Sequence, residues 1–178
     1  MATIQDISKS STYQDKLMGL LAGRDPMAVQ RQTADVLDGM VRANSVADLQ
    51  ARPFEGKWTP TEIIGHLIDS DWVYGFRVRL IFAEDEPTIL GMDQDKWVAA
   101  QRYAERDPRE LMEQFRHLRD VNLGLWGMMT PSDLERCGRH NERGRESLGL
   151  MWKMHAGHDL SHIDQLTRYI AAVKSMKT

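Results

Sequence analysis

Apolar residues recur at three- and four-residue spacing through several long stretches of the chain, and no apolar–polar alternation rich in β-branched residues persists. A period near 3.6 marks amphipathic helices, whereas a period of two marks strands, so the pattern predicts an all-α protein. Asp25-Pro26 sets a capping side chain before a proline at the first helical position, and Val29, Val36, Leu37, Met40 and Val41 carry the first long helix to about Ala43. A shorter helix over Tyr13 to Leu21 is expected before it. Thr59-Pro60-Thr61-Glu62 opens the second helix with the spacing of a capping box and predicts continuation to about Ala83. Asp107-Pro108-Arg109-Glu110 opens the third, whose stripe of Leu111, Phe115, Leu118, Leu125 and Met129 stops at Thr130-Pro131. The fourth is expected from about Glu146 to Val173. The connection from Glu84 to Arg106, with a short helix over Asp95 to Tyr103, is long enough to cross a bundle and lets neighbouring helices run parallel.

No repeat at a fixed period is present, so the four helices predict one bundle over residues 25–173, within a single domain spanning 1–178. Residues 1–24 form an N-terminal extension or the short helix. A length of 178 residues suits one hydrophobic core, and 42% hydrophobic with 28% charged residues excludes intrinsic disorder. A net charge of −3 gives no field for holding a polyphosphate, so nucleic acid is not an expected partner. No apolar run approaches the ~20 residues of a membrane span, and MATIQDISKS lacks the apolar stretch of a signal peptide, so the expected location is the cytoplasm. The one cysteine, Cys137, has no disulfide partner and reads as a loop residue beside Arg136. Arg136, Arg139, Arg143 and Arg145, interrupted by Glu142 and Glu146, read as a solvated loop. Trp58, Trp72, Trp97, Trp126 and Trp152 read as core or subunit-interface anchors, and a homodimer is expected.

Chemistry concentrates near the end of the chain. His158 and His162 stand about 40° and one turn apart on a helix, so both rings leave one face, and His155 falls close to the same line. Leu148, Met151, Leu166 and Tyr169 share that face, which places the histidines on the core stripe. Buried imidazoles need partners, and either neighbouring hydrogen-bond groups or a metal ion can supply them. A third ligand has to come from another helix. His66 shares the inward stripe of the second helix with Ile63, Leu67, Ser70, Tyr74 and Arg77, and faces the pair if those helices are neighbours. The alternative, a single polar core residue, stays open. His117 falls on the exposed side of the third helix beside Arg116 and Arg119, and His140 in the loop Arg139-His140-Asn141-Glu142; neither is expected to ligate.

Gly56-Lys57-Trp58-Thr59-Pro60-Thr61-Glu62, then His66-Leu67 followed by Asp69 and Asp71, and finally His158-xxx-His162-xx-Gln165-Leu166, resemble the DinB-like superfamily with its YfiT-type metal-dependent hydrolases. Asp93-Gln94-Asp95-Lys96-Trp97 and Leu118 to Leu123 resemble the family's intervening sequence, and the likeness extends from about Leu49 to Tyr169. The resemblance implies a four-helix bundle in up-down-down-up order with a long crossover between its second and third helices. It also implies a divalent metal, commonly nickel or zinc, held at the positions of His66, His158 and His162.

Three neutral imidazoles leave the full charge of an ion to lower the pKa of bound water or to deprotonate a thiol. Members resembling this family include transferases and isomerases that use low-molecular-weight thiols, so such a thiol is an expected cosubstrate. The expected function is therefore a metalloenzyme acting on a small molecule, as a thiol-dependent transferase or a hydrolase. The alternative is a metal-stabilised bundle that binds without turnover, as in a stress-associated protein. Asp69 and Asp159 are candidates to orient ligand imidazoles, as is Asp71; His155 and Asn122 are candidate pocket residues, and Arg77 a partner for an internal acid or an anionic substrate.

Overall fold

The computed structural model describes residues 4–177, with side chains from residue 13 onward. Positions 1–3 of the expected N-terminal extension and residue 178 therefore lie outside the described residues. The helices are α1 (Ile4–Leu21), α2 (Pro26–Arg42), α3 (Val46–Gln50), α4 (Pro60–Ala83), α5 (Gln94–Ala100), α6 (Pro108–Gly127), α7 (Pro131–Leu134) and α8 (Leu148–Ser175). Three short strands, β1 (Thr88–Ile89), β2 (Cys137–His140) and β3 (Gly144–Ser147), accompany them, with a 3-10 turn at Tyr103–Glu105.

Local chemistry sets the helix starts. Asp25 accepts from the backbone N–H groups of Met27 at 3.2 Å and Ala28 at 3.1 Å, satisfying donors that the first turn leaves free. Thr59 and Glu62 close a capping box at 3.1 and 2.6 Å. Asp107 caps α6 and Ser147 caps α8 in the same way.

Side-chain neighbours give the helix directions. Ile63, Ile64 and Leu67 near the start of α4 share a core with Leu111 and Phe115 near the start of α6. Tyr74 and Val78 further along α4 meet Trp126 near the end of α6, so these two helices run parallel. The same Tyr74 and Val78 meet Leu148 and Met151 at the start of α8, whereas Ile63 meets Leu166 and Ile170, so α8 runs opposite to α4. Gln30 bonds Trp152 near the starts of α2 and α8, while Val41 and Ile170 share the other core; those helices are parallel. The order along the chain is thus up-down-down-up, and the segment containing β1 and α5 returns the chain so that α6 can run parallel to α4.

Residues 60–71 of α4 are buried on every side. Contact of this kind needs close approach: a Cβ on Gly65 would lie 2.2 Å from the Tyr103 ring, so only glycine lets the 3-10 turn cover the helix. Beyond this cover α4 is open, and Trp72 and Phe76 are exposed, as is Trp97 on α5. Trp126, by contrast, is buried and stacks on Trp152 at 5.2 Å.

Three expectations are corrected. The stretch read as a basic loop is a hairpin: β2 pairs antiparallel with β3, and β1 adds to β2 in parallel. Gly144, the first residue of β3, stands at φ +82°, a left-handed conformation that glycine takes without strain where the chain leaves the hairpin turn. Glu146 belongs to β3, and the last helix begins at Leu148; Cys137 and His140 are buried strand residues. Arg119, expected at the surface, is 1% exposed in the middle of the bundle.

Candidate metal centre

Helix geometry alone brings His158 and His162 to one face of α8, and the antiparallel neighbour α4 presents His66 to them. Nε2 of His158 lies 3.1 Å from Nε2 of His66 and 3.0 Å from Nε2 of His162. One nitrogen from each ring falls within 4.8 Å of the other two. His66 and His158 are buried, and His162 is partly so. The Trp58 ring packs on His66 with centroids 4.9 Å apart, closing one side.

Protonation decides what such a cluster can hold. Burial pushes the His66 pKa down to about 3 and that of His162 down to about 4, and drives His158 well below the usual histidine range. The mutual repulsion of the rings lowers His66 and His158 further. Nδ1 of His162 faces Oε1 of Gln165 at 2.8 Å, which fixes the proton on Nδ1 and leaves Nε2 as a bare lone pair. At hydrogen-bond distance from that lone pair, the Nε2 atoms of His158 and His66 either share N–H protons with their neighbours or turn their own lone pairs to a cation set among them. The donor set therefore fits a divalent ion, and the Ser70 hydroxyl lies beside it, 3.4 Å from Nε2 of His66.

The remaining candidates separate from the triad. Asp69 accepts from the Tyr103 hydroxyl at 2.8 Å and from Gln101 at 2.5 Å, and bonds none of the three imidazoles. Asp159 and Asp71 are both gripped by Arg119. Nδ1 of His66 and of His158 consequently have no hydrogen-bond partner among the described residues. Asn122 donates to the carbonyl and carboxylate of Asp71 and belongs to the same buried network, not to a pocket. His155 is 1% exposed, stacks on Tyr74 at 4.2 Å, and sits 3.9 Å from Asp71 with both ring nitrogens unpartnered. Arg77 makes no ion pair among the described residues and lies over the Tyr74 ring at 5.8 Å. His117 is exposed, and His140 is buried in β2 away from the triad.

The Arg119 network was not legible as a site from residue types. Burial alone would lower the Arg119 pKa, but the charges of Asp159 and Asp71 outweigh it and hold the guanidinium firmly protonated. It also donates to the Gln30 carbonyl at 3.1 Å, so one side chain of α6 ties α2, α4 and α8 together beside the histidines. Gln165 stands three residues after His162, and that i, i+3 spacing is the signal that assigns it to the ring.

The profile of the DinB superfamily matches residues 28–166. The chain belongs to the DinB superfamily. It is 30% identical over 134 residues to a protein of Oceanobacillus iheyensis named "Putative metal-dependent hydrolase OB0782", covering 70% of this chain and 77% of that one. A Bacillus mycoides protein of the same descriptive name is 28% identical over 131 residues, with 70% and 75% covered. Among solved structures, YfiT from Bacillus subtilis, described as a probable metal-dependent hydrolase with an unusual four-helix bundle topology, aligns with a TM-score of 0.74 at 21% identity, covering 82% of this chain and 86% of that one. The mycothiol-dependent maleylpyruvate isomerase aligns at 0.57 and 11% identity, covering 83% of this chain and 59% of that one. These structural likenesses establish the four-helix bundle fold. Among the described residues no helix is long and apolar enough to cross a membrane.

Proposed function

We propose that this DinB superfamily member is a metal-dependent enzyme acting on a small molecule, with His66, His158 and His162 as the ligands of one divalent ion, nickel or zinc. The convergence of three Nε2 atoms from two helices carries this reading. The naming of its relatives as metal-dependent hydrolases supports hydrolysis as the reaction class. The likeness to a mycothiol-dependent isomerase supports a low-molecular-weight thiol as the other species such a site can activate.

When bound, the ion supplies positive charge that lowers the pKa of a coordinated water or thiol. The chain's own groups do the rest. Burial keeps the three rings neutral at pH 7, so their lone pairs are free to ligate. Gln165 holds His162 in one tautomer and orientation. Trp58 excludes water from one side of His66, and Ser70 places a hydroxyl beside the same ring to orient a polar ligand.

The test is elemental analysis of the untagged protein purified without chelator. Wild type and His117→Ala are expected to hold about one transition metal per chain, and His66→Ala, His158→Ala and His162→Ala to lose it. Equal metal content in all five proteins would remove the triad. Turnover assays on the loaded protein with and without an added low-molecular-weight thiol then separate transfer from hydrolysis.

A further inference from the structure

Arg77 is a buried cation without an acid. It is 5% exposed, and arginine is rarely buried to that extent unless paired. Its guanidinium donates to the Leu90 carbonyl, while Nε has no hydrogen-bond partner, and no Asp or Glu among the described residues pairs with it. Glu146, a buried carboxylate on the hairpin whose charge acts on Arg77, is engaged elsewhere: it accepts from Arg143 at 2.5 and 2.9 Å and from Gln14 at 3.0 Å.

A second orphan lies beside it. His140 is 3% exposed, and its Nδ1 accepts from the backbone N–H of Glu142 at 3.1 Å. That bond puts the ring proton on Nε2, which has no partner either. The sheet register explains the proximity: His140 pairs with Ile89, and Leu90, whose carbonyl takes Arg77, is the next residue. Burial, reinforced by the charges of Arg143 and Arg77, lowers the His140 pKa to about 4, so at pH 7 the ring is a neutral donor in a positive field. Arg77 Nε–H and His140 Nε2–H are thus two buried donors without an acceptor, close enough in the fold for the Arg77 charge to act on the His140 ring. Native interiors seldom leave such groups unsatisfied.

We propose that Arg77 Nε–H and His140 Nε2–H form an oxyanion site, accepting a carboxylate or phosphate-type group where α4 meets the β1–β2 pair. The site is separate from the histidine triad, since Arg77 stands eleven positions beyond His66 on α4, about 16 Å at 1.5 Å per residue. It does not rest on the metal reading. Glu142, exposed at the hairpin turn with its carboxylate against Gly91, contributes negative charge at Arg77 that opposes an incoming anion.

Thermal unfolding in inorganic phosphate or in acetate, each against chloride at matched ionic strength, tests the assignment. Wild type and His158→Ala are expected to gain about 3–5 °C at a tenfold excess over Kd. Arg77→Gln and His140→Phe are expected to gain nothing, and Glu142→Gln to respond at lower anion concentration than wild type. A response to phosphate alone assigns a phosphate group; a response to acetate assigns the carboxylate end of a small molecule. No rise with either anion, or an equal rise in Arg77→Gln, overturns the site. Should Arg77→Gln fail to fold, the His140 Nε2–H resonance of the wild type decides by NMR: movement on anion titration supports the site, and a stationary signal overturns it.

Discussion

Arg119 grips Asp159 through two hydrogen bonds of 2.6 and 3.0 Å, and Asp159 directly follows His158, whose ring turns toward His66 and His162. The same guanidinium takes Asp71 at 2.8 Å, so the spacing of α4 and α8 on which the triad depends is set from α6.

Removing that strut leaves two buried carboxylates without a counter-charge. Arg119→Met is expected to cost about 3–5 kcal/mol in urea unfolding, because the uncompensated charges are expensive in the interior. Adding Asp159→Asn to Arg119→Met should recover part of the loss. A cost below about 1 kcal/mol for the single variant would show that the network contributes little.

Gln165 would act on a bound ion only through His162. Gln165→Ala should weaken metal affinity by about 10- to 100-fold while leaving the metal stoichiometry at saturation unchanged. Competition against a chromophoric chelator measures this, and an unaltered affinity would mean that the ring is oriented without the amide.

Acid should destabilise the metal-free protein in a defined window. Burial pushes His66 and His155 down to about 3, and His162 and His140 down to about 4, from the ordinary value of 6.5. Below pH 6.5 the unfolded chain binds protons that the folded chain refuses, so stability present above that pH is lost as pH falls toward 4. Each histidine contributes up to about 1.4 kcal/mol per pH unit. The urea midpoint is therefore expected to drop between pH 7 and pH 5, and His140→Gln to make that drop shallower. A flat midpoint across the window would contradict the neutral, buried state of these rings.

Gly65→Ala is expected to cost about 1–3 kcal/mol, since the new methyl group has to displace Tyr103 and with it the hydroxyl bonded to Asp69. Gly39→Ala meets nothing within 4 Å on α2 and should instead stabilise by up to about 1 kcal/mol. Paired thermal unfolding curves distinguish them; equal effects would show that the close contact with Tyr103 is dispensable.

The long helices were readable because their starts are encoded locally: Asp25, Thr59 and Asp107 each cap the turn that follows them in sequence. The sheet was not, because strands of two to four residues carry no period, and β1 exists only through pairing with β2 some fifty positions away. Arg119 is the instructive error. By spacing it belongs with Phe115, Asn122 and Trp126 on the buried stripe of α6, but its residue type and the exposed neighbours Arg116 and His117 argued for the surface. The histidine positions followed from helical spacing, whereas the fate of Asp69 and Asp159 depended on Tyr103 and Arg119, which approach from other elements.

The chain has one cysteine and so no covalent cross-link of its own. His66 and His158 are 92 positions apart, and an ion bound between them would tie off more than half of the polypeptide as a closed loop. By analogy with a disulfide closing a loop of that length, such a tether would remove denatured-state entropy worth about 4–5 kcal/mol. The ion would then be a staple as well as a reagent, and the folded lifetime of the molecule would follow its supply.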